Sequence, residues 1–152
     1  MNVRLALASD HAAYELKQHL AGWLRDRGHA VTDLGTDSTA PVDYPDFARR
    51  IGLEVTSGRV ERGILMCGSG VGASVAANKM PGVRAAVCHD SYSAHQGVEH
   101  DAMNILVIGS RVIGPMLAEE LVERFLGARF SGEERHLRRL HKVEEMDARR
   151  GE

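Results

Sequence analysis

Cys67 closes the apolar run Ile64-Leu65-Met66-Cys67 and is followed at once by Gly68-Ser69-Gly70-Val71-Gly72. A helix-like stretch continues through Val75 and Ala76 to Lys79. A strand that feeds a glycine turn and then a helix leaves several backbone N–H groups unpaired and aimed at one point. Such a point attracts an anion, either a phosphate or an oxyanion formed during a reaction. Cys67 on its rim adds a group able to carry a proton. It reads in two ways: a small buried residue at a strand end, or a thiol pushed toward thiolate by the adjacent helix N-terminus. Cys88 also closes an apolar run but has no glycine turn behind it, and is read as structural.

Other groups gather at similar positions. Asp10-His11 follows the first apolar run and precedes a helix. Asp10 is either a simple N-cap or, with His11, part of a polar pair that orients a sugar hydroxyl and a phosphate. His100, between Glu99 and Asp101, stands just before the fifth strand; it reads either as a solvated loop residue or as a group able to reach the same sheet edge as Cys67. Arg111 follows that strand, and Arg135 and Arg139 share one helix face at i, i+4. Either these are solvated basic groups or, with His11, they form a phosphate grip, for which arginine forks are well suited. A rival reading uses the same glycines. Gly68 to Ala73 fits the G-x-G-x-x-A dinucleotide fingerprint, with Asp90 about 20 residues on as the ribose-binding acid. His19, His29, His95 and His141 lie in amphipathic or loop contexts and are read as structural or solvated.

Composition narrows the classes. The chain has 152 residues, is 43% hydrophobic and carries a net charge of −2. It is read as one domain, 1–152, with enough length for a core. That charge gives no reason to expect nucleic acid. No apolar run approaches the ~20 residues of a membrane span, and no basic-then-apolar leader is visible, so a cytoplasmic location is expected. The two cysteines make no zinc motif and no Cys-x-x-Cys redox pair.

The elements that must position these groups follow from periodicity. Apolar runs at Val3 to Ala8, His29 to Leu34, Gly63 to Cys67, Val83 to Cys88 and Ile105 to Ile108 read as strands. Ala13, Leu16, Leu20, Trp23 and Leu24 recur at helical spacing before Gly28, and Asp46 is the expected cap of a helix to about Ser57-Gly58. Further helices are expected over 71–79, 92–99 and 115–126, and from Glu133 with Leu137, Leu140, Val143 and Met146 on one side. Unbroken apolar strands separated by helices imply an α/β fold, a three-layer αβα sandwich on a five-stranded parallel, Rossmann-like sheet. Ligands then bind beyond the C-terminal strand ends, where Asp10-His11, Cys67 to Gly72, His89-Asp90 and Gly109-Ser110-Arg111 fall. The last helix is left with apolar surface to cover, which points to packing on a partner subunit.

Taken in order, these motifs resemble the type B ribose-5-phosphate isomerases and the wider group with galactose-6-phosphate isomerase subunits and allose-6-phosphate isomerase. The resemblance rests on Ser9-Asp10-His11-Ala12, Asp43-Tyr44-Pro45-Asp46, Gly63 to Gly72, Ala76-Ala77-Asn78-Lys79, Cys88 to Ala94, Glu99-His100, Gly109 to Gly114, and Arg135-His136 with Arg139. It implies an aldose–ketose isomerase that interconverts ribose 5-phosphate and ribulose 5-phosphate, with Cys67 as the base. Gly68, Ser69, Gly70, Val71 and Gly72 would be the anion hole, and His100, with Asp10 nearby, the ring opener. His11, Arg111, Arg135 and Arg139 would hold the phosphate. It implies a homodimer or homotetramer with shared active sites, and neither metal nor cofactor. Ser69 replaces a common threonine, and Asp101 a common asparagine. An ionised aspartate cannot donate a hydrogen bond, so allose 6-phosphate, galactose 6-phosphate or a tetrose phosphate stay open as substrates. A non-catalytic nucleotide- or phosphate-binding module is the remaining alternative.

Overall fold

The computed structural model describes residues 2–151; the expected domain, 1–152, also includes Met1 and Glu152, which lie outside them. Among the described residues the apolar runs become five strands: β1 (Arg4–Ser9), β2 (Ala30–Asp33), β3 (Arg62–Cys67), β4 (Ala85–Val87) and β5 (Ile105–Gly109). They form one parallel sheet in the order β2-β1-β3-β5-β4. The helices are α1 (Tyr14–Asp26), entered through a 3-10 turn at His11–Ala13, then α2 (Tyr44–Thr56), α3 (Val71–Ala77), α4 (Ser91–Asp101), α5 (Pro115–Gly127) and α6 (Glu134–Ala148). Among the described residues, no helix is long and apolar enough to cross a membrane.

Strand alternation sorts the core into two layers. Leu5, Leu7, Ile64, Met66, Leu106 and Ile108 pack with residues of α1, α4 and α5, including Leu20, Val98 and Phe125. Ala6, Ala8, Leu65, Cys67 and Val107 pack with α2 and α3 through Phe47, Ile51, Ala73 and Ala77. Each large side chain buried this way contributes roughly 1.5–3 kcal/mol, so both faces of the central strands are strongly specified.

Several boundaries depart from the sequence expectation. The second helix is capped at Asp43, not Asp46, because Tyr44-Pro45 already form its first turn, where proline is pre-organised for helix. β4 is shorter than Val83 to Cys88, since it lies at the sheet edge with only β5 beside it. On its open side the Asn78 side chain stands in for a strand: Ala85 N donates to Oδ1 (2.9 Å) and Nδ2 donates to Ala85 O (2.8 Å). The fourth helix runs on through Asp101 and ends at Ala102 with a left-handed φ of 51°. His100 and Asp101 are therefore helical, not part of a loop before β5. The last helix also touches its own chain, burying His136 against α4, while Leu137, Val143 and Met146 stay exposed.

Candidate active site

β1 is flanked by β2 on one side and β3 on the other, so successive connections leave it in opposite directions. A crevice opens at such a switch point, beyond the C-terminal ends of the strands. Asp10 follows β1 there and Cys67 ends β3. The turn after Cys67 needs glycine at position 70, where φ is +84°, a conformation costly for side-chain-bearing residues. It folds the chain back so that Gly70 N donates to Cys67 Sγ at 3.1 Å. Val71 N donates to Ser69 Oγ at 3.2 Å. Ser74 N makes the first bond of α3, to Gly70 O, so the amides of Gly72 and Ala73 precede the helical ladder and are available to an anion.

The end of β5 is tied to this turn. Cys67 pairs with Gly109, Ser110 N donates to Cys67 O (2.9 Å), and Arg111 N donates to Gly68 O (3.0 Å). Those bonds bring the Arg111 guanidinium over Gly68. Gly109 N donates to His89 Nε2 at 2.9 Å. Asp10 caps the 3-10 turn, accepting from Ala12 N (3.0 Å) and Ala13 N (3.3 Å) through Oδ1 alone. The N-cap reading of Asp10 is thus correct, and Oδ2 remains outside the cap. His11 Nδ1 accepts from Val42 N at 3.1 Å, which fixes the ring and leaves Nε2 as its donor. Around these groups lies a cavity of about 340 Å³ lined by Asp10, Tyr44, Cys67, Gly68, Ser69, Gly72, Arg111 and Val112. Cys67 is only 5% exposed, so the thiol sits on the floor.

The rest of the predicted set is elsewhere. α4 starts at the C-terminal edge of the sheet and runs back toward the N-terminal edge, and its 11 residues span about 16 Å. His100 and Asp101 therefore lie at the opposite end of the sheet from Cys67, and His100 does not join Asp10. The reading in which His100 reaches the Cys67 edge fails within one chain, for that reason. There His100 stacks on His136, with ring centroids 4.0 Å apart, and its Nδ1 meets Gln96 Nε2 at 2.9 Å. Asp101 and Arg139 line a second cavity of about 310 Å³ with Arg84, Met103 and Leu140. Arg135 pairs with Glu133 beside it. Of the expected phosphate grip, His11 and Arg111 stand at one end and Arg135 and Arg139 at the other.

The dinucleotide reading fails on topology. Its acid must end the strand beside the glycine turn, but β5 separates β3 from β4. Asp90 instead caps α4, accepting from Ser93 N at 2.7 Å, and those backbone bonds hold its carboxyl below the usual range. Cys88 is buried, and burial, followed by the Asp90 charge, pushes its thiol up to about 11, in keeping with a structural role. Among the described residues, no group of three or more His, Cys, Asp or Glu side chains is placed to hold a metal ion.

Val112 escaped residue-by-residue reading, whereas His89 and Tyr44 were placed by position alone, at a strand end and in a loop, without their contacts. Val112 lines the cavity from the loop after β5, where only Arg111 carried a chemical signal. His89 supports Gly109 through a tertiary bond. Tyr44 seals the wall because Gly72 has no side chain: a Cβ there would stand 2.7 Å from the Tyr44 ring. The paired motifs Asp-Tyr-Pro and Gly-x-Gly were visible, but their contact was not.

Comparison with known proteins agrees with this architecture. Residues 5–143 match the family model described as Ribose/Galactose Isomerase. Ribose-5-phosphate isomerase B of Escherichia coli (strain K12) is 42% identical over 147 residues, covering 97% of this chain and 98% of that protein. D-erythrulose-4-phosphate isomerase of Pectobacterium atrosepticum is 41% identical over 130 residues, covering 84% and 85% respectively. The solved structure of Clostridium thermocellum ribose-5-phosphate isomerase B superposes with a TM-score of 0.93 at 45% identity, over 98% of this chain and 99% of that one. This chain belongs to the ribose/galactose isomerase family.

Proposed function

We propose that this member of the ribose/galactose isomerase family interconverts ribose 5-phosphate and ribulose 5-phosphate through an enediolate, with Cys67 as the base. The observation that carries the reading is the Cys67 thiol on the floor of a cavity walled by the glycine turn and Arg111. The Cys67 thiolate takes the proton from C2 of the open-chain aldose, and the C–H electrons form the C1–C2 double bond as negative charge moves to O1. The Gly68 to Gly72 turn offers the amides not already bonded within it, and Ser69 a hydroxyl, at the developing oxyanion. Such donors are typically worth ~3–4 kcal/mol each in the transition state. Transfer of the O2 proton to O1 and return of the Cys67 proton to C1 give the ketose. Phosphate held at the far end fixes the sugar, so binding energy serves positioning.

Ring opening is assigned to His100, an imidazole suited to proton transfer near neutral pH, and the far phosphate contacts to Arg135 and Arg139. Because these lie at the other end of the sheet from Cys67, the complete site is formed between two copies of the chain. One contributes Asp10, His11, the Cys67 turn and Arg111. The other contributes His100, Asp101, Arg135 and Arg139. Mixing inactive Cys67→Ala with inactive His100→Ala then regenerates one intact site per hybrid dimer, or about one quarter of wild-type activity for random pairing. No recovery after subunit exchange refutes the shared site.

The primary test is ribulose 5-phosphate formation from ribose 5-phosphate, without added metal, by wild type and Cys67→Ala. The expected result is turnover in the first and none in the second, with phosphosugar still bound. Near-normal turnover by the variant refutes the base assignment. A second substrate reading is favoured by Asp101 and by the relative that acts on a four-carbon sugar phosphate. Comparing kcat/KM for four-, five- and six-carbon aldose phosphates decides between them; a wild type selective for another length overturns the pentose.

A further inference from the structure

The geometry points to His136 as a positioning residue that holds His100 in its ring-opening orientation; this rests on the assignment of His100 above. The two imidazoles are stacked, 4.0 Å between centroids and 25° between planes. His136 is 2% exposed, although it comes from a helix whose other side chains are largely solvated. Its Nδ1 meets Ser131 Oγ at 2.5 Å, and Ser131 N donates to Glu99 O at 3.0 Å. The segment before α6 is thereby clipped to the residue next to His100. Gln96, one turn earlier on α4, holds His100 Nδ1 at 2.9 Å. One face and one edge of the His100 ring are thus occupied, and Nε2 is the nitrogen left for chemistry.

The choice of histidine for the supporting ring has a physical reason. Burial first, then the nearby His100 and Arg135, holds His136 below the ordinary imidazole value, so the supporting ring is neutral. A neutral aromatic face attracts its neighbour whether that neighbour is an imidazole or an imidazolium. The stack therefore survives both proton states that an acid–base group must visit. A charged support would repel His100 whenever it held the proton.

Directional kinetics test this. An aldopentose 5-phosphate is mostly a furanose and must be opened, whereas the ketopentose 5-phosphate has its C5 oxygen esterified and is already open-chain. A residue that serves ring opening therefore matters for turnover of the furanose and, in reverse, for its closure, but not for conversion of the ketose to the free open-chain aldehyde. His136→Ala is expected to lower kcat/KM for the aldose by between about tenfold and 10²-fold, the range for a displaced acid–base group. Initial rates from the ketose, with the free aldehyde trapped as it forms, are expected to stay close to wild type. His136→Phe, which keeps a neutral stacking face, should recover most of the loss. Equal loss in both directions marks a merely structural role and overturns the proposal, as does no loss in either. His100→Ala is run alongside: if it lacks the directional effect, the ring-opening assignment itself has failed. If it shows the effect and His136→Ala does not, only the positioning role is lost.

Discussion

Gly109→Ala is a direct perturbation of the turn after Cys67 that replaces none of the side chains proposed to act there. Gly109 pairs with Cys67 across β3 and β5. A Cβ added there would stand 2.5 Å from Ser69 O, 2.6 Å from Ser69 C and 2.9 Å from Ser69 Cα. All three are backbone atoms, so no rotamer change relieves the overlap. Reaching an ordinary contact of 3.4 Å requires the turn to retreat by about 0.9 Å. The turn is not free to do so cheaply, because Gly70 N, Ser110 N and Arg111 N bind it to Cys67 and Gly68. Overpacking of this kind costs ~1–3 kcal/mol, which for a chain of this size lowers Tm by roughly 2–12 °C. Displacement of a reacting group by about 1 Å costs on the order of 10² in rate. The assay is ketose formation together with a thermal melt. Gly22→Ala in α1, where an added Cβ meets nothing within 4 Å, is the control and should be neutral or stabilising by ~0.5–1 kcal/mol. If Gly109→Ala melts lower as expected but keeps kcat within about threefold, less than 1 kcal/mol of barrier, then the placement of the turn does not govern catalysis and the reasoning fails.

Three further outcomes follow from shifted protons. Burial holds the Cys88 thiol up at about 11, so alkylation at pH 8, mapped by mass spectrometry, should modify Cys67 and spare Cys88; equal labelling refutes this. Its folded value is raised above the unfolded one, so the unfolded chain releases the proton first. Stability is therefore full below about pH 9 and is lost as pH rises toward 11, and Cys88→Ala should flatten that alkaline decline in melting experiments. His29 and His136 are shifted the other way: burial, with neighbouring positive charge, holds both below the ordinary 6.5. The unfolded chain takes up these protons first, so stability is full above about pH 6.5 and falls as pH drops through it toward the folded values. Melts from pH 7.5 to 5.5 should show a shallower acid slope for the His29→Gln, His136→Gln double variant than for wild type, and an unchanged slope contradicts the assignment.

The central strands were legible because burial on both faces leaves an unbroken apolar run, as in Ile64-Leu65-Met66-Cys67. The Cys67 turn was legible because glycine at position 70 is a backbone requirement written directly into the sequence. What misled was distance along the chain. His100 is close in sequence to β5, yet α4 carries it to the far end of the sheet from the point where that strand meets Cys67. The extension of α4 was hidden because its left-handed cap is Ala102, without the glycine or asparagine that announces such a stop. Asn78 reads as a polar residue after a helix, and only the sheet edge reveals it as a substitute for a strand. The stack of His136 on His100 joins two helices through a contact that no local period encodes.

The split of functional groups between the ends of the sheet bears on which sugar the enzyme prefers. In the proposed function Cys67 and its turn act on C1 and C2, and those atoms are alike in every aldose phosphate, so this end discriminates little. Chain length is measured by the separation between the proton-transfer groups and the phosphate contacts. On the proposed reading, Arg135, Arg139 and Asp101 reach the sugar from a second copy, so that separation is set partly by how the two copies dock. A substitution at the docking face can then shift preference among four-, five- and six-carbon substrates without touching a residue that lines the Cys67 cavity. Conversely, two family members with the same cysteine turn need not share a substrate. The residues to vary for specificity are thus those on α4 and α6 that carry His100, Asp101, Arg135 and Arg139, and the apolar side chains of α6 left exposed at Leu137, Val143 and Met146.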